Sequence, residues 1–160
     1  MPDSGLPDLA VIIGPLLQRV PAVQQPLLIA IAERMAADRY RGWADDPRVA
    51  SHRARLLACV EREEEIARRV EGLYPRAGEM QREILAANPD LEQITRDLFA
   101  GWSLHQQLAI QANGERLGAA TWRALAQAEP DPARAAVIGS CAPLEEESAL
   151  VLEAIVKDAP

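Results

Sequence analysis

Four glutamates are spaced along this 160-residue chain so that their carboxylates could bind cations together: Glu33, Glu64, Glu115 and Glu146. The first two lie symmetrically about a proline turn at residues 45–47, and the last two about a second turn at residues 129–132. If helices flank each turn, antiparallel packing holds each pair at one height, roughly 23 Å from its turn at about 1.5 Å of rise per residue. The spacing therefore predicts four carboxylates at one level of two helical hairpins.

Each of these glutamates falls on an apolar stripe with helical spacing. Glu33 lies in register with Ile29 and Ala36, and the other three follow the same pattern. We therefore expect all four side chains to face the interior, where burial and mutual repulsion favour compensation by cations. The adjoining glutamates in the runs 63–65 and 145–147 are interpreted as a solvated face and kept only as reserve ligands.

The elements that would position these glutamates are all predicted to be helical. Alanine, leucine, glutamate and arginine dominate, aromatic residues make up only 4%, and no long stretch alternates with a period of two. Prolines and glycines divide a single domain, residues 1–160, into a short N-terminal helix at 7–19, a first hairpin at 22–73, a helical crossover at 74–103 and a second hairpin at 104–157. Pro143 is expected to kink the last helix.

An internal repeat with an offset of 82 residues relates the two hairpins. Residues 33–71 and 115–153 are identical at 12 of 39 positions without a gap. Glu33 matches Glu115, Cys59 matches Cys141, and the glutamate run at 63–65 matches the run at 145–147. The repeat predicts two hairpins related by a pseudo-twofold axis.

This arrangement of glutamates resembles the ferritin-like superfamily, which includes bacterioferritins and rubrerythrins, over residues 26–157. The resemblance implies a four-helix bundle whose two hairpins, joined by a long crossover, hold two iron or manganese ions. In that family the first and third helices each supply one Glu, matched here by Glu33 and Glu115. The second and fourth helices each supply Glu-x-x-His, of which Glu64 and Glu146 match the glutamate.

One aromatic position agrees with the family, a second differs, and both family histidines are absent from their positions. The family often has a tyrosine seven residues after the first Glu and bonded to the site; Tyr40 matches it, and Trp122 takes the equivalent place in the second hairpin. The histidine positions are Ala67 and Ala149. A site made only of carboxylates suits hard cations such as manganese and binds iron less firmly than a site with imidazoles.

The resemblance implies an oxidoreductase that handles oxygen or peroxide at a dinuclear iron or manganese centre. The alternative is a metal-free, degenerate bundle that acts as a binding or scaffold protein. A weaker third possibility is a subunit of a mineralising cage. A homodimer would be typical of the family, and the redox partner is not indicated by the sequence.

Composition excludes several other classes of function. With 17 basic and 24 acidic residues, the net charge of -7 opposes binding to nucleic acid or to an anionic membrane surface. Two cysteines, Cys59 and Cys141, are too few for a disulfide scaffold, and their predicted separation is too large for a bridge between them.

The first residues have no basic segment that resembles a secretion signal, so we expect a cytoplasmic protein. The apolar segment 9–17 is expected to pack on its own chain, with a second subunit as the alternative.

Overall fold

The computed structural model describes residues 5–158, which form helices joined by short turns, with no strand in that range. This confirms the prediction of an all-α protein. The α-helices are α1 (Leu9–Leu17), α2 (Gln25–Ala44), α3 (Arg53–Glu71), α4 (Ala77–Ala87), α5 (Leu91–Asp97), α6 (Leu104–Ala128), α7 (Pro132–Gly139) and α8 (Ala142–Asp158). Short 3₁₀ segments at Ala22–Gln24 and Pro47–His52 precede α2 and α3.

Two long helix pairs form the core of the structure. Helix α2 packs along α3, and α6 packs along α8, while α3 and α8 join the two pairs. Helices α4 and α5 connect α3 to α6, and α1 packs against α6. None of the helices in the described range has the length and apolar composition needed to cross a membrane.

Caps and prolines explain where the helices begin and end. Asp131 accepts a hydrogen bond from the Ala133 backbone N–H at 3.0 Å, which caps the first turn of α7. The kink predicted at Pro143 is present as a break between α7 and α8, because proline has no N–H for a helical hydrogen bond. Gly101 has a φ of 81°, a conformation that favours glycine, in the turn that leads into α6.

The repeat at an offset of 82 residues is reflected in matching ion pairs within the two hairpins. In each hairpin two arginines of the first helix bind two glutamates of the returning helix. The matched pairs are Arg34–Glu71 with Arg116–Glu153, and Arg41–Glu64 with Arg123–Glu146. The identities found in the sequence therefore include residues that make the same contacts in both halves of the chain.

Helix α6 begins at a capping box, which yields a first prediction. The Ser103 hydroxyl accepts from the Gln106 backbone N–H at 3.2 Å, and the Gln106 side chain accepts from the Ser103 N–H at 3.1 Å. Replacing Ser103 by Ala should lower the free energy of unfolding by about 1 kcal/mol, measured by urea denaturation. Ser51→Ala is the control, since that exposed serine caps no α-helix, and equal losses in both variants would contradict the assignment.

Candidate functional site

Four buried glutamates, one from each of the four long helices, form a polar cluster inside the core. They are Glu33 on α2, Glu63 on α3, Glu115 on α6 and Glu145 on α8, with exposures of 7%, 0%, 1% and 2%. Carboxylates are seldom buried unless other groups compensate them. This carboxylate cluster is therefore the candidate functional site.

The carboxylate cluster divides the apolar core into two parts. On α2, Glu33 lies between Ala30, which belongs to the part of the core around Trp122, and Ala37, which belongs to the part around Tyr40. The glutamates of α3, α6 and α8 lie in the same way between members of the two parts. The four helices thus contribute one glutamate each, from positions between the two parts of the core.

Two of the predicted residues do not belong to this cluster. Glu33 and Glu115 face the interior as expected, but the expectation that Glu64 and Glu146 do so is wrong. Their side chains are partly exposed and form ion pairs with Arg41 and Arg123 on the outer side of each hairpin.

Glu63 and Glu145, which the sequence suggested only as reserve ligands, take the inward positions instead. A helix turns by about 100° per residue, so a shift of one residue moves a side chain from the core to the surface. The buried side of α3 includes Leu56, Cys59 and Val70, and Glu63 lies on this side. This stripe was a signal in the sequence that favoured Glu63 over Glu64.

Three carboxylates of the cluster converge closely. One oxygen from each of Glu33, Glu63 and Glu145 lies within 4.8 Å of the other two, although the residues come from three different helices. Glu115 is the fourth member, and its charge contributes to the raised pKa values of Glu33, Glu63 and Glu145. Such convergence of oxygens is the arrangement that hard cations need.

Hydrogen-bond donors hold one oxygen of several carboxylates. Glu115 Oε1 accepts from the Tyr40 hydroxyl and from Gln111 Nε2, each at 2.7 Å. Trp122 Nε1 donates to Glu145 Oε1 at 2.9 Å, so the structure places both aromatic residues singled out in the sequence against the cluster.

Two carboxylate oxygens in the cluster have no hydrogen-bond partner among the described residues. The Ser148 hydroxyl donates to Glu63 Oε1 at 3.3 Å, but Glu63 Oε2 has no such partner. The second oxygen of Glu115 is also buried without one. A buried acceptor without a partner is costly, by about 1–3 kcal/mol, so these two atoms indicate where a ligand would be stabilised.

Burial strongly perturbs the carboxyl groups. Loss of hydration raises the pKa of Glu33 and raises the pKa values of Glu63 and Glu145 well above the usual range, with repulsion between neighbouring carboxylates acting in the same direction. Burial also raises the pKa of the Tyr40 hydroxyl well above 10.0. Without a cation, the cluster therefore favours protonated carboxyl groups.

Two arginines lie next to the cluster and reach it through polar side chains. Arg62 Nε donates to the Ser148 hydroxyl oxygen at 3.1 Å, and that hydroxyl in turn contacts Glu63. Arg39 donates to Gln111 Oε1, and the Gln111 amide donates to Glu115. The two guanidinium groups therefore supply part of the positive charge that four carboxylates require.

The donor set of the cluster contains no imidazole among residues 5–158. The positions three residues after Glu63 and Glu145 are Ile66 and Ser148, so the corrected register also lacks the two histidines. His105 instead lies 2.8 Å from the Val156 carbonyl oxygen, near the end of α8. Any ion in this cluster would be bound mainly by carboxylates.

The two cysteines flank the cluster as separate buried thiols. Cys59 and Cys141 are both free, as expected. They lie in different parts of the apolar core, and burial raises the pKa of Cys141 to about 12. A thiol with such a pKa is protonated at neutral pH, which makes it a poor nucleophile and a poor metal ligand.

An apolar cavity of about 160 Å³ lies beside the carboxylate cluster. It is bounded by α1, α2, α5 and α6, and the side chains of Glu33, Glu115 and Glu145 reach it. Apolar residues make up most of its wall, and Leu9, Leu16 and Leu17 of α1 contribute to it. The N-terminal apolar segment therefore packs on its own chain, as expected, and covers one side of the candidate site.

The chemistry of the cluster follows from its own residues. Comparisons of the chain with protein-family models, with curated proteins and with solved structures find no match. The buried carboxyl groups can exchange protons, and together they can bind cations. The cluster combines convergent oxygens, two unpartnered buried acceptors and hydrogen bonds that orient the carboxylates.

Gly118 allows Glu145 to approach α6, which yields a second prediction. A Cβ atom at position 118 would lie 2.5 Å from Glu145 Oε1 and 2.9 Å from its carboxyl carbon, whereas a Cβ at Gly114 would meet only Leu9 Cδ1 at 3.5 Å. Gly114→Ala should raise the free energy of unfolding by up to about 1 kcal/mol through helix propensity. Gly118→Ala should lower it, since overpacking costs about 1–3 kcal/mol. Urea denaturation compares the two, and equal stabilisation would contradict the close approach.

The raised carboxyl pKa values give a third prediction for protein stripped of metal. Glu63 and Glu145 titrate near about 4.3 in the unfolded chain but at higher pH in the fold, so the folded state binds more protons between these values. The free energy of unfolding should therefore fall as the pH rises from about 4.3 through the folded-state pKa values.

Urea denaturation between pH 5 and pH 8 measures this fall. The double variant Glu63→Gln plus Glu145→Gln should show a flatter dependence on pH, because neither side chain can ionise. The matched variant Glu64→Gln plus Glu146→Gln, which changes the neighbouring and partly exposed residues, should keep the wild-type slope. Identical slopes in both double variants would contradict the prediction.

Proposed function

We propose that this protein is a ferritin-like four-helix bundle that binds two iron or manganese ions in its carboxylate cluster and acts as an oxidoreductase on oxygen or peroxide. The observation that carries the proposal is the convergence of Glu33, Glu63 and Glu145 from three helices, with oxygens within 4.8 Å of one another. Glu115 adds a fourth buried carboxylate from the remaining long helix, α6.

The chemistry of the donor set fits such ions. Carboxylate oxygens are hard ligands, which suit manganese and ferrous iron, and the unpartnered oxygens of Glu63 and Glu115 would gain the partner that they lack. Bound iron or manganese would supply the change of oxidation state that none of the carboxylates can undergo.

The surrounding side chains fit the role of orienting the ligands. Tyr40 and Gln111 hold one oxygen of Glu115, and Trp122 holds one oxygen of Glu145, so the second oxygen of each remains available. Hydrogen bonds of this kind fix ligand orientation and tune the affinity of metal sites. The apolar core on both sides of the cluster limits the access of water to the carboxylates.

The arrangement of the helices supports the ferritin-like part of the proposal. The α2–α3 and α6–α8 pairs repeat the same inter-helix ion pairs at an offset of 82 residues, which fits a pseudo-twofold relation. Helices α4 and α5 form the long connection between these pairs. Each pair contributes two of the four glutamates, as in the family that the sequence resembles.

A metal-free binding protein is the second candidate, and the composition of the site favours it in one respect. Residues 5–158 bring no imidazole to the cluster, while Ser148 and Gln111 donate hydrogen bonds to its carboxylates without a metal ion. In this case Glu63 and Glu145 would stay protonated and hydrogen-bond to neighbouring carboxylates. The two candidates make opposite predictions about bound metal.

Metal content after reconstitution tests the proposal and is the fourth prediction. Protein purified without a metal-affinity tag and incubated with manganese or ferrous iron should retain about two ions per chain, measured by elemental analysis after desalting. Glu63→Gln plus Glu145→Gln should reduce this content below one ion per chain, because two of the four ligands lose their charge. Retention well below one ion per wild-type chain would contradict the proposal and favour the metal-free candidate.

The chain offers a matched control for this experiment. Glu64→Gln plus Glu146→Gln removes the same charge from adjacent positions of the same helices, but these side chains pair with Arg41 and Arg123 outside the cluster. This control should retain the wild-type metal content. Loaded wild-type protein and the control should then consume peroxide or oxygen, and the variant of the buried pair should not.

A further inference from the structure

The cavity beside the carboxylate cluster has a single cationic side chain in its wall among the described residues, that of Arg39. Its guanidinium lies over the Phe99 ring, 4.5 Å from the ring centroid. It donates from Nε and Nη2 to Gln111 Oε1 at 3.3 and 3.2 Å. Arg39 also lines a neighbouring surface groove between α2, α5 and α6, so it stands where the cavity meets the surface.

Arg39 departs from the pattern of the other arginines on α2. Arg34 and Arg41 each bind a glutamate of α3, and both ion pairs recur 82 residues later. The position equivalent to Arg39 is Thr121, and Arg39 forms no ion pair with any residue in the range 5–158. The repeated scaffold therefore does not account for this guanidinium.

The size and lining of the cavity indicate how large and how apolar a bound ligand would be. An engineered apolar cavity of about 150 Å³ binds benzene, so a cavity of about 160 Å³ can hold a group the size of a phenyl ring. A Cβ at Gly114 would meet only Leu9, so the missing side chain leaves this space open. The apolar wall includes Ile13, Leu28, Ile94 and Leu117.

The charges around the cavity indicate the head group of the ligand. Glu33, Glu115 and Glu145 reach the cavity but carry no positive charge in either protonation state, so an anionic head belongs at Arg39, the cationic side chain of the described wall. The Arg39 guanidinium has five N–H donors, of which its bonds to Gln111 use two, so a pair remains for a carboxylate. It stays charged although burial lowers its pKa. An apolar body would then fill the space between Arg39 and the cluster.

We propose that this cavity binds a small monocarboxylic acid whose apolar body is about the size of a phenyl ring and whose carboxylate pairs with Arg39. The wall of the cavity is formed by residues of the protein, so binding requires no metal. The inference therefore stands apart from the proposed oxidoreductase function, although a molecule in this cavity would lie against Glu33, Glu115 and Glu145.

Calorimetric titration of the full-length, metal-stripped chain tests this inference with phenylacetate and its neutral isostere phenylacetamide. Wild-type protein should bind phenylacetate at least about tenfold more tightly, because charge-assisted hydrogen bonds contribute more than neutral ones. Arg39→Gln should remove this preference while leaving the affinity for phenylacetamide nearly unchanged. Gly114→Leu should weaken both ligands, since it fills the cavity.

Two controls and a milder variant complete the test. Arg34→Gln removes an arginine of the same helix outside the cavity, and Gly78→Leu adds a leucine at an exposed position of α4, so both should bind like wild type. Gly114→Ala, which needs no repacking, should weaken both ligands less than Gly114→Leu does. The inference is overturned if wild-type protein binds neither ligand, if it binds both equally, or if Arg39→Gln weakens both to the same extent.

Discussion

Burial of four carboxylates at one level of an apolar core is the constraint on which the rest of this structure depends. An ionised carboxylate surrounded by protein loses hydration worth several kcal/mol, and like charges nearby add to that loss. The four glutamates are nevertheless at most 7% exposed. Four side chains of the interior donate hydrogen bonds to these glutamates and compensate part of their lost hydration: Tyr40, Trp122, Gln111 and Ser148.

The helices and turns could be predicted from the sequence because local signals determine them. Asp131 with Pro132 begins α7, the proline at 143 interrupts the last helix, and Ser103 with Gln106 begins α6. These features depend on backbone hydrogen bonds and on fixed φ angles within a few residues. The internal repeat likewise predicted two similar hairpins, and matching ion pairs occur in both.

The inward register of the glutamates could not be predicted with the same accuracy. In the runs 63–65 and 145–147 three successive glutamates point in directions about 100° apart, and in the first run apolar residues lie in register with both Glu63 and Glu64. The choice is made by long-range contacts, since Arg41 and Arg123 hold Glu64 and Glu146 on the outside. Those arginines lie 23 residues earlier in the chain, and only the pairing of the helices brings them to the glutamates.

The differences between the two repeats indicate where a specific function would reside. Residues that the repeats share include the inter-helix ion pairs and the four buried glutamates, which form the carboxylate cluster. Residues that differ between the repeats lie around the cluster. Arg39 is equivalent to Thr121, and Gln111 is equivalent to Ile29, and both Arg39 and Gln111 line the cavity. Residues common to both repeats give the two halves of the chain the same chemical groups, so selectivity for a ligand has to come from the residues that differ. The side of the cluster that carries Arg39 also has the apolar cavity. There a guanidinium group, an apolar space and three carboxyl groups of the cluster lie next to one another.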